Sequence, residues 1–395
     1  MLHTLRSVED FYRQHSWLRQ MRETCPVWLD ERSGCWHVFR YNDVYRVITD
    51  YASFSSEKPK TSSAAGSSIL SMDPPRHKQY RNLVAYAFTP RALARLSERI
   101  AVLTQELLDK IRFKGQMDLV ADFAYQLPTI VIAEMLGVPA SDRSLFKRWT
   151  DVLLNHQVDD AELFRPDLAL ETDDIEHTYE ELKEYLEEAL KERQSNPKED
   201  MMSDLLAVEM EGKRLSMEER VNFCRILLLA GHLTTTNLLS SGIWCFDGQP
   251  GLIEQLRKRP ELMPGAIEEV LRYAAPGWRI TRMARTDVKL AEVTIPAGAA
   301  IFAWLASANW DSTQFSDPDS FDVARSPNKH LTFGHGIHFC IGAPLARMEA
   351  TIALSMLLEQ LPQLCLIDRA ALEPFEGTTL FGFKRMPVTF VPQTN

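Results

Sequence analysis

Apolar side chains recur every three or four residues along much of this sequence, which is the spacing of one buried helix face. The longest such stretch begins behind Ser216 and Glu219, a pair placed to form a capping box at a helix N-terminus. Another stretch, at 174–193, is rich in charged residues, so we expect one face of that helix to be solvated. The pattern predicts helices over residues 91–113, 144–154, 174–193, 217–239, Met263–Tyr273 and 343–361.

Strand-like segments are fewer and shorter, and turn-forming residues separate them. The pattern predicts strands at 36–39, 288–290, 293–295 and 299–304, and a final hairpin over 380–391. No linker rich in Ser, Gly or Pro and of convincing length divides the chain. We therefore expect one domain over residues 1–395, mainly α with a small β region.

The charge balance and the cysteines narrow the class of protein. The 44 basic and 54 acidic residues give a net charge of -10, which argues against non-specific binding to nucleic acid or to an anionic membrane. The six cysteines form no CxxC pair and fit a reducing cytosol better than a disulfide framework. Neither a signal peptide nor a run of about 20 apolar residues is visible. We expect a soluble cytoplasmic monomer with no nucleic-acid and no membrane partner.

The densest chemical signal is the segment FGHGIHFCIG at 333–342. Its glycines let the backbone on either side of Cys340 approach a flat cofactor closely, and Phe333 can pack beside the sulfur. A predicted helix follows directly, so the helix dipole and free N–H groups are expected to stabilise a thiolate. Such a cysteine could be an axial haem ligand, a nucleophile served by His335 or His338, or a small buried hydrophobic residue.

Three further motifs precede the cysteine segment. The stretch DPPRHKQYR at 73–81 places a histidine and an arginine four residues apart, on one face of a helix. The stretch AGHLTTT at 230–236 puts a glycine inside the longest predicted helix, where it costs about 1 kcal/mol relative to alanine and so needs a reason. Glu269 and Arg272 stand three residues apart, where they can pair on one helix face.

In this order, the four motifs resemble those of the cytochrome P450 superfamily, the haem-thiolate monooxygenases, from about Trp36 to the C-terminus. The resemblance implies the triangular helical prism of the P450 fold and a haem b cofactor. It implies that Cys340 is the axial iron ligand and a catalytic residue, with Phe333 beside it. It makes Glu269 and Arg272 a buried structural pair. The haem propionates would be bound by His77, Arg81, Arg282 and His338.

The resemblance also gives Thr234 a catalytic role, as the threonine that donates a hydrogen bond to dioxygen in a groove of the long helix. Members of the superfamily usually carry Glu or Asp just before this threonine, and here the residue is Leu233. A leucine cannot carry a proton, so proton delivery must use something else. The candidates are His232, Thr235, Asn237, ordered water or a hydroxyl of the bound substrate.

The implied activity is that of a monooxygenase that inserts one atom of dioxygen into an organic substrate, by hydroxylation or epoxidation. The alternative is a haem protein that is peroxide-driven or non-oxygenating, such as a carrier, a sensor or a nitrogen-oxide reductase. The sequence has neither a glycine-rich nucleotide-binding fingerprint nor a cysteine cluster. Electrons are therefore expected from a separate ferredoxin or flavodoxin and its NAD(P)H reductase, docked against basic residues on the cysteine side.

The substrate pocket of the superfamily corresponds to several pieces of this sequence, including the region around residues 155–175. These pieces contribute Ile69, Leu70, Leu229, Leu233, Trp278, Arg279, Ile280, Leu380 and Phe381. The set is largely apolar and predicts a small apolar organic substrate, such as a macrolide, polyketide or terpene-like natural product. Arg279 is the one charge; it either faces a polar substrate or, as we favour, lies on the surface.

Overall fold

The computed structural model describes residues 5–57, 68–155, 173–209, 212 and 214–394. This part of the chain is mostly helical with small sheets, so the predicted class, mainly α with a small β region, is confirmed. The α-helices are α1 (Val8–Thr24), α2 (Tyr41–Thr49), α3 (Arg76–Val84), α4 (Pro90–Asp109), α5 (Gln126–Leu136), α6 (Arg143–Asn155), α7 (Asp173–Ser195), α8 (Met201–Ala207), α9 (Met217–Asp247), α10 (Leu252–Lys258), α11 (Met263–Tyr273), α12 (Leu305–Ala308) and α13 (Ala343–Gln360).

The strands are short and form four separate sheets within the described residues. They are β1 (Val27–Asp30), β2 (Cys35–Val38), β3 (Phe54–Ser55), β4 (Gln116–Asp118), β5 (Arg279–Ala284), β6 (Val288–Leu290), β7 (Val293–Ile295), β8 (Ala300–Trp304), β9 (Cys365–Leu366), β10 (Glu373–Pro374), β11 (Phe383–Arg385) and β12 (Pro387–Thr389). The largest sheet has the order β1-β2-β8-β5-β3, and a three-stranded sheet has the order β4-β12-β9.

The predicted long helices are confirmed to within a few residues at most of their ends. The capping box before α9 is also present. The Ser216 hydroxyl accepts from the Glu219 N–H at 3.1 Å, and the Glu219 carboxylate accepts from the Ser216 N–H at 2.9 Å. The largest difference is that α9 continues past the predicted end to Asp247, because its second half is buried on nearly every side.

The predicted C-terminal hairpin is wrong. Strands β11 and β12 do not pair with each other, because a single residue, Met386, separates them and a hairpin turn needs at least two. Strand β11 pairs instead with β10, and β12 lies between β4 and β9. The C-terminal segment therefore connects two small sheets.

Helix α9 is buried along most of its length and packs on α5, α7, α11 and α13. In the described ranges it is the one helix whose length and composition would allow it to cross a membrane. Most of its apolar window is buried inside the protein, as is typical of a core helix.

The five-stranded sheet separates two hydrophobic cores, because successive side chains of a strand point to opposite faces. Phe302 and Trp304 of β8 belong to the main core, which also contains the buried face of α9. Ile280 of β5 and Ile301 of β8 belong to the second core, against α2. Whether a residue of β5 has an odd or an even number therefore decides which of the two cores its side chain faces.

His37 on β2 is a buried, neutral histidine in this sheet. Its Nδ1 accepts a hydrogen bond from the Trp304 indole N–H at 3.0 Å, and its buried Nε2 has no hydrogen-bond partner. Burial, together with the charge of nearby Arg279, lowers the pKa of His37 to about 3. Between pH 6.5 and about 3 the unfolded chain therefore binds a proton that the folded chain does not, and stability falls as the pH falls.

We expect the substitution His37→Asn to make the protein less sensitive to acid. Asparagine keeps an acceptor for the Trp304 indole but cannot titrate, so the fall in the free energy of unfolding should become smaller by about 1.4 kcal/mol per pH unit. Urea unfolding at pH 6.5, 5.5 and 4.5 measures this slope. His177→Asn, at a largely exposed histidine of α7, is the matched control and should leave the slope unchanged. Parallel slopes for wild type and His37→Asn would contradict the prediction.

Candidate functional site

The cysteine segment folds as a tight loop just before α13. Gly334 and Gly336 have φ values of 67° and 71°, a conformation that favours glycine, and they reverse the chain so that the Cys340 N–H donates to the Phe333 carbonyl at 2.9 Å. Gly336 also lies against α2, where a Cβ would come within 3.3 Å of the Thr49 Cα. Glycine is therefore required at these positions, because it closes the loop and lets the loop pack against α2.

The N–H groups at the start of α13 favour a Cys340 thiolate, as expected, but they do not outweigh the effect of burial on the pKa. Burial raises the pKa of the Cys340 thiol, and the N–H groups of Gly342 and Ala343 and the charge of Arg81 offset this only in part. Neither nearby histidine bonds the sulfur: His335 accepts from the Gly336 N–H, and His338 Nε2 lies 2.9 Å from the Ser56 hydroxyl. The described contacts therefore give Cys340 no general base, whereas a metal would hold it as a thiolate.

A charged network supports the loop from behind. The Arg347 guanidinium lies 4.6 Å from the centre of the Phe333 ring and donates to both oxygens of Glu268, at 2.6 and 2.8 Å. His330 contacts the same carboxylate at 3.1 Å. Burial opposes ionisation of Glu268, but the bonds from Arg347 and His330 outweigh it and lower its pKa to about 2. The network fixes the position of Phe333 next to Cys340.

Four basic side chains that the sequence singled out gather beside this loop. The rings of His77 and His338 lie 4.2 Å apart, and Arg81 donates to the carbonyl of Phe339, the residue before Cys340. Arg282 on β5 is buried and donates to the carbonyl of Thr281 at 2.8 Å. We call His77, Arg81, Arg282 and His338 the basic cradle.

The basic cradle carries the signs of an anion site. Burial lowers the pKa of Arg282 to about 10, and burial together with Arg282 lowers the pKa of His338 to about 3. His77 Nε2 is buried and has no hydrogen-bond partner. Buried donors of this kind need acceptors. A haem would bring two propionate carboxylates to these donors and an iron to Cys340, and the loop glycines let a flat group approach the backbone closely. The residues present therefore fit a haem.

The Glu269–Arg272 pair is fully buried, as the resemblance implied. Arg272 donates to both Glu269 oxygens, at 2.9 and 2.7 Å, and Arg325 donates to the same carboxylate at 3.1 Å. The remaining Arg272 N–H groups donate to backbone carbonyls, including that of Asn309 at 3.1 Å. The pair therefore fixes the chain that leads into the cysteine loop, and nothing in its contacts suggests a role in bond-making.

Gly231 in α9 is explained by a close helix contact. A Cβ at this position would lie 2.8 Å from Ile132 Cδ1 of α5, so a larger residue would push the two helices apart. The helix is continuous through this region, and the Thr234 hydroxyl donates to the Ala230 carbonyl one turn earlier, at 2.6 Å. Ala230 is exposed, unlike most of α9. Thr234 and Ala230 therefore mark an accessible part of an otherwise buried helix.

His232 is not an outward-facing proton relay, which corrects one candidate for proton delivery. It is completely buried against α5, with Nε2 2.9 Å from the Thr129 hydroxyl and its ring 4.1 Å from that of Tyr125. Burial lowers its pKa to about 4. Leu233 is buried as well, and Asn237 packs on Gly382, where a Cβ would lie 2.1 Å from the amide carbon.

The structure contradicts the interpretation that Arg279 lies on the surface. It is buried, and its guanidinium stacks over Phe302 at 4.2 Å and Trp304 at 5.4 Å. Strand alternation explains this position, because odd-numbered residues of β5 face the main core, whereas Ile280 and Arg282 share the other face. Arg279 is therefore neither a surface residue nor a side chain on the face that carries Arg282.

The other residues of the expected pocket divide into two groups. Trp278 and Phe381 are buried and stack on each other at 5.8 Å next to Phe11, so they belong to the aromatic core rather than to an accessible wall. Ile69 and Leu233 are also buried. Leu70 is exposed, and Leu229, Ile280 and Leu380 are partly exposed. Most of the region around residues 155–175 lies outside the described residues.

Two buried carboxylates were not assigned from the sequence. Glu349 on α13 is buried, its Oε1 has no hydrogen-bond partner, and burial raises its pKa to about 8. The available signal was a carboxylate within the apolar stripe of a helix. Asp73 is also buried and accepts from the Ser56 N–H at 3.1 Å. It stands in a motif that was noticed, but a lone acid among basic residues gave no reason to assign it a role.

One loop cysteine, a cluster of buried and half-buried basic donors and an accessible threonine on a core helix define a haem-thiolate type of site. The chain belongs to the cytochrome P450 family, whose model, described as "Cytochrome P450", matches residues 2–365. It is therefore a P450 monooxygenase with a haem-thiolate cofactor.

Relatives with a range of substrates support this assignment. The chain is 41% identical to the putative cytochrome P450 YjiB of Bacillus subtilis, covering 97% of this chain and 95% of the relative. It is 40% identical to the cyclomarin C epoxidase CymV of Salinispora arenicola, covering 88% of each. It is 39% identical to the erythromycin C-12 hydroxylase of Saccharopolyspora erythraea, covering 94% of this chain and 93% of the relative.

Solved structures agree with the fold. The structure of CYP109E1 from Bacillus megaterium in complex with testosterone has a TM-score of 0.85 and 38% sequence identity, and the match covers 95% of this chain and 99% of that chain. The structure of CYP109B1 from Bacillus subtilis has the same TM-score and 40% identity, with the same coverage of both chains. These values confirm the P450 fold.

Proposed function

We propose that this monooxygenase hydroxylates or epoxidises a neutral, apolar organic molecule, with Cys340 as the axial ligand of its haem. The observation that carries the proposal is the docked glycine loop, which presents Cys340 without a general base beside the basic cradle. When bound, the haem supplies activation of dioxygen and transfer of one oxygen atom, assisted by the thiolate. In the proposal, His77, Arg81, Arg282 and His338 bind the two propionates.

The proposed substrate class follows from the side chains that remain accessible. Of the residues expected in the pocket, Leu70, Leu229, Ile280 and Leu380 keep exposed surface and are apolar, and Thr234 is a partly exposed polar residue. The one charged residue considered for the pocket, Arg279, is buried and stacks on Phe302 and Trp304. A pocket of this kind would leave a charged substrate group unpaired. The names of the relatives, an epoxidase and a macrolide hydroxylase, fit a role in natural-product biosynthesis.

We further propose that electrons come from a cytoplasmic ferredoxin or flavodoxin with its NAD(P)H reductase. Helix α3 buries His77 and Tyr80 but exposes Arg76 and Lys78, and Arg81 at the same helix reaches the cysteine loop. This exposed basic face would attract an acidic electron carrier to the side of the protein nearest Cys340.

Proton delivery needs a source other than residue 233. Conversion of a substrate RH, dioxygen, two electrons and two protons gives ROH and water. Glu349 holds a proton at neutral pH, because burial raises its pKa to about 8. It lies on α13, which packs on α9 where Leu354 contacts Gly242. We propose that Glu349 supplies protons through ordered water to the Thr234 hydroxyl. In this proposal the hydroxyl oxygen accepts a proton from that water, and the hydroxyl gives up its own proton, now donated to the Ala230 carbonyl, to the oxygen atom that leaves as water.

The assignment of Cys340 can be tested by spectroscopy. We expect the reduced protein to show the red-shifted Soret band of a thiolate-ligated haem with carbon monoxide, and Cys340→Ser to lose that band because a hydroxyl does not replace a thiolate ligand. Cys365→Ser, at an exposed free cysteine, is the control and should keep the band. Retention of the band in a folded Cys340→Ser variant would overturn the proposal.

The proposed substrate class can be tested with matched ligands. We expect testosterone and methyl dodecanoate to shift the spin state of the ferric protein, and dodecanoate to bind about tenfold more weakly than its methyl ester or worse, because its charge would be buried unpaired. Spectral titration gives the three dissociation constants. The three dissociation constants should keep the same order in the Arg279→Gln variant. Tighter binding of the acid than of the ester, lost in Arg279→Gln, would place Arg279 in the pocket.

The proposed proton route predicts a loss of coupling. Thr234→Ala and Glu349→Gln should each lower the product formed per NADPH and raise hydrogen peroxide, because proton delivery is interrupted. In the wild type, coupling should fall as the pH rises through about 8, where Glu349 ionises, and in Glu349→Gln it should be low and independent of pH.

Product and peroxide per NADPH are measured with a ferredoxin chain, and in parallel with hydrogen peroxide alone. Glu359→Gln, at an exposed position of the same helix, is the matched control and should couple like the wild type. Unchanged coupling in Glu349→Gln would remove Glu349 from the route. Product with peroxide but none with the ferredoxin chain would favour the peroxide-driven alternative.

A further inference from the structure

Asp73 is a buried carboxylate at the edge of the basic cradle. Its oxygens accept from the Ser55 hydroxyl, from the Ser56 N–H at 3.1 Å and from the Arg285 guanidinium. The Asp73 carbonyl also accepts from the His77 N–H at 2.9 Å, at the start of α3. A carboxylate that accepts from several donors is held in one orientation.

Asp73 acts on the cradle by two separate routes. Through hydrogen bonds it holds Ser56, whose hydroxyl lies 2.9 Å from His338 Nε2 and so orients that ring. Through its charge it stabilises the buried Arg282 guanidinium, where it partly opposes the effect of burial on the pKa. The orientation of His338 and the charge around Arg282 therefore both depend on this one side chain.

The charges around the cradle can be counted. Arg81, Arg282 and Arg285 bring three positive charges, and Asp73 brings one negative charge, which leaves a net charge of two positive. The two propionates of a haem carry two negative charges. With Asp73 and Arg285 both present, the charged side chains named here therefore balance the propionates.

We propose that Asp73, paired with Arg285, is a positioning residue that sets the net charge of the basic cradle and thereby the reduction potential of the haem. The proposal rests on the proposed binding of the propionates by the cradle. Reduction adds one negative charge to the haem, so an excess of positive charge nearby favours the reduced form and a deficit disfavours it.

The pair allows a test in which the single changes have opposite effects. Asp73→Asn leaves one positive charge in excess and should shift the midpoint potential to a more positive value. Arg285→Gln leaves one positive charge too few and should shift it to a more negative value. The double variant restores the balance and should return close to the wild type. General damage to the site would instead move both single variants in the same direction.

Midpoint potentials are measured by dye-mediated redox titration of the holoprotein, with haem content per chain recorded for each variant. Glu180→Gln, which removes a carboxylate paired with Lys183 on the exposed side of α7, is the control and should leave the potential unchanged. Equal potentials in wild type and Asp73→Asn, or shifts of the same sign in the two single variants, would overturn the inference.

A separate experiment tests whether the basic cradle binds the propionates. The variant Arg81→Ala with Arg282→Ala should be obtained largely without haem, because charge-assisted hydrogen bonds contribute strongly to anion binding. Full haem content in that variant would show that the propionates bind elsewhere. Loss of haem there, combined with an unchanged potential in Asp73→Asn, would leave the cradle in place and refute only the role of Asp73.

Discussion

The buried pair of Glu269 and Arg272 on α11 holds together the part of the molecule on which the site depends. Both side chains are inaccessible to solvent, and between them they bind Arg325 and several backbone groups of the segment before the cysteine loop. Removing one partner of such a pair leaves an uncompensated buried charge and typically costs about 3–5 kcal/mol. The position of Cys340 thus depends on an ion pair on another helix, α11. The contact between Glu268 and Arg347 connects the same helix to α13.

The sequence allowed prediction of features that depend on local spacing. The long helices follow from apolar periodicity, and the capping box before α9 follows from two residues three positions apart. The hairpin prediction failed because β11 pairs with β10, which precedes the predicted segment, and β12 pairs with β9 and with the distant strand β4, which local patterns do not report. Arg279 was misplaced for a related reason: strand β5 was not predicted, and the face to which its side chains point depends on its pairing with β8.

The candidate site was predictable where a motif carries it and not elsewhere. The four cradle residues and Cys340 lie in recognisable motifs, and the structure brings the cradle residues together. Glu349 lies in no motif, and Asp73 stands in a motif that gave no reason to assign it a role. Both are distinguished by their burial, which is a property of the folded molecule. Near Thr234 the sequence left His232 as a candidate for proton delivery, whereas the structure buries this side chain against α5. With leucine at 233 and His232 directed to α5, this part of α9 is held by packing on Ile132 and by the contact with Thr129 rather than by an ion pair.

Helix α3 has consequences for how such an enzyme could change its electron donor. One side of this nine-residue helix is buried with His77 and Tyr80, and Tyr80 bonds to the backbone of Glu219 at the start of α9. The other side exposes Arg76 and Lys78. If, as proposed, the electron carrier docks on this exposed side, its recognition charges can be exchanged without changing His77. Lys78 is free for such an exchange, whereas Arg76 also pairs with Glu219 at the start of α9, at 3.5 Å. In that proposal, the same oxygenating core would couple to a new carrier by surface substitutions within a single helix.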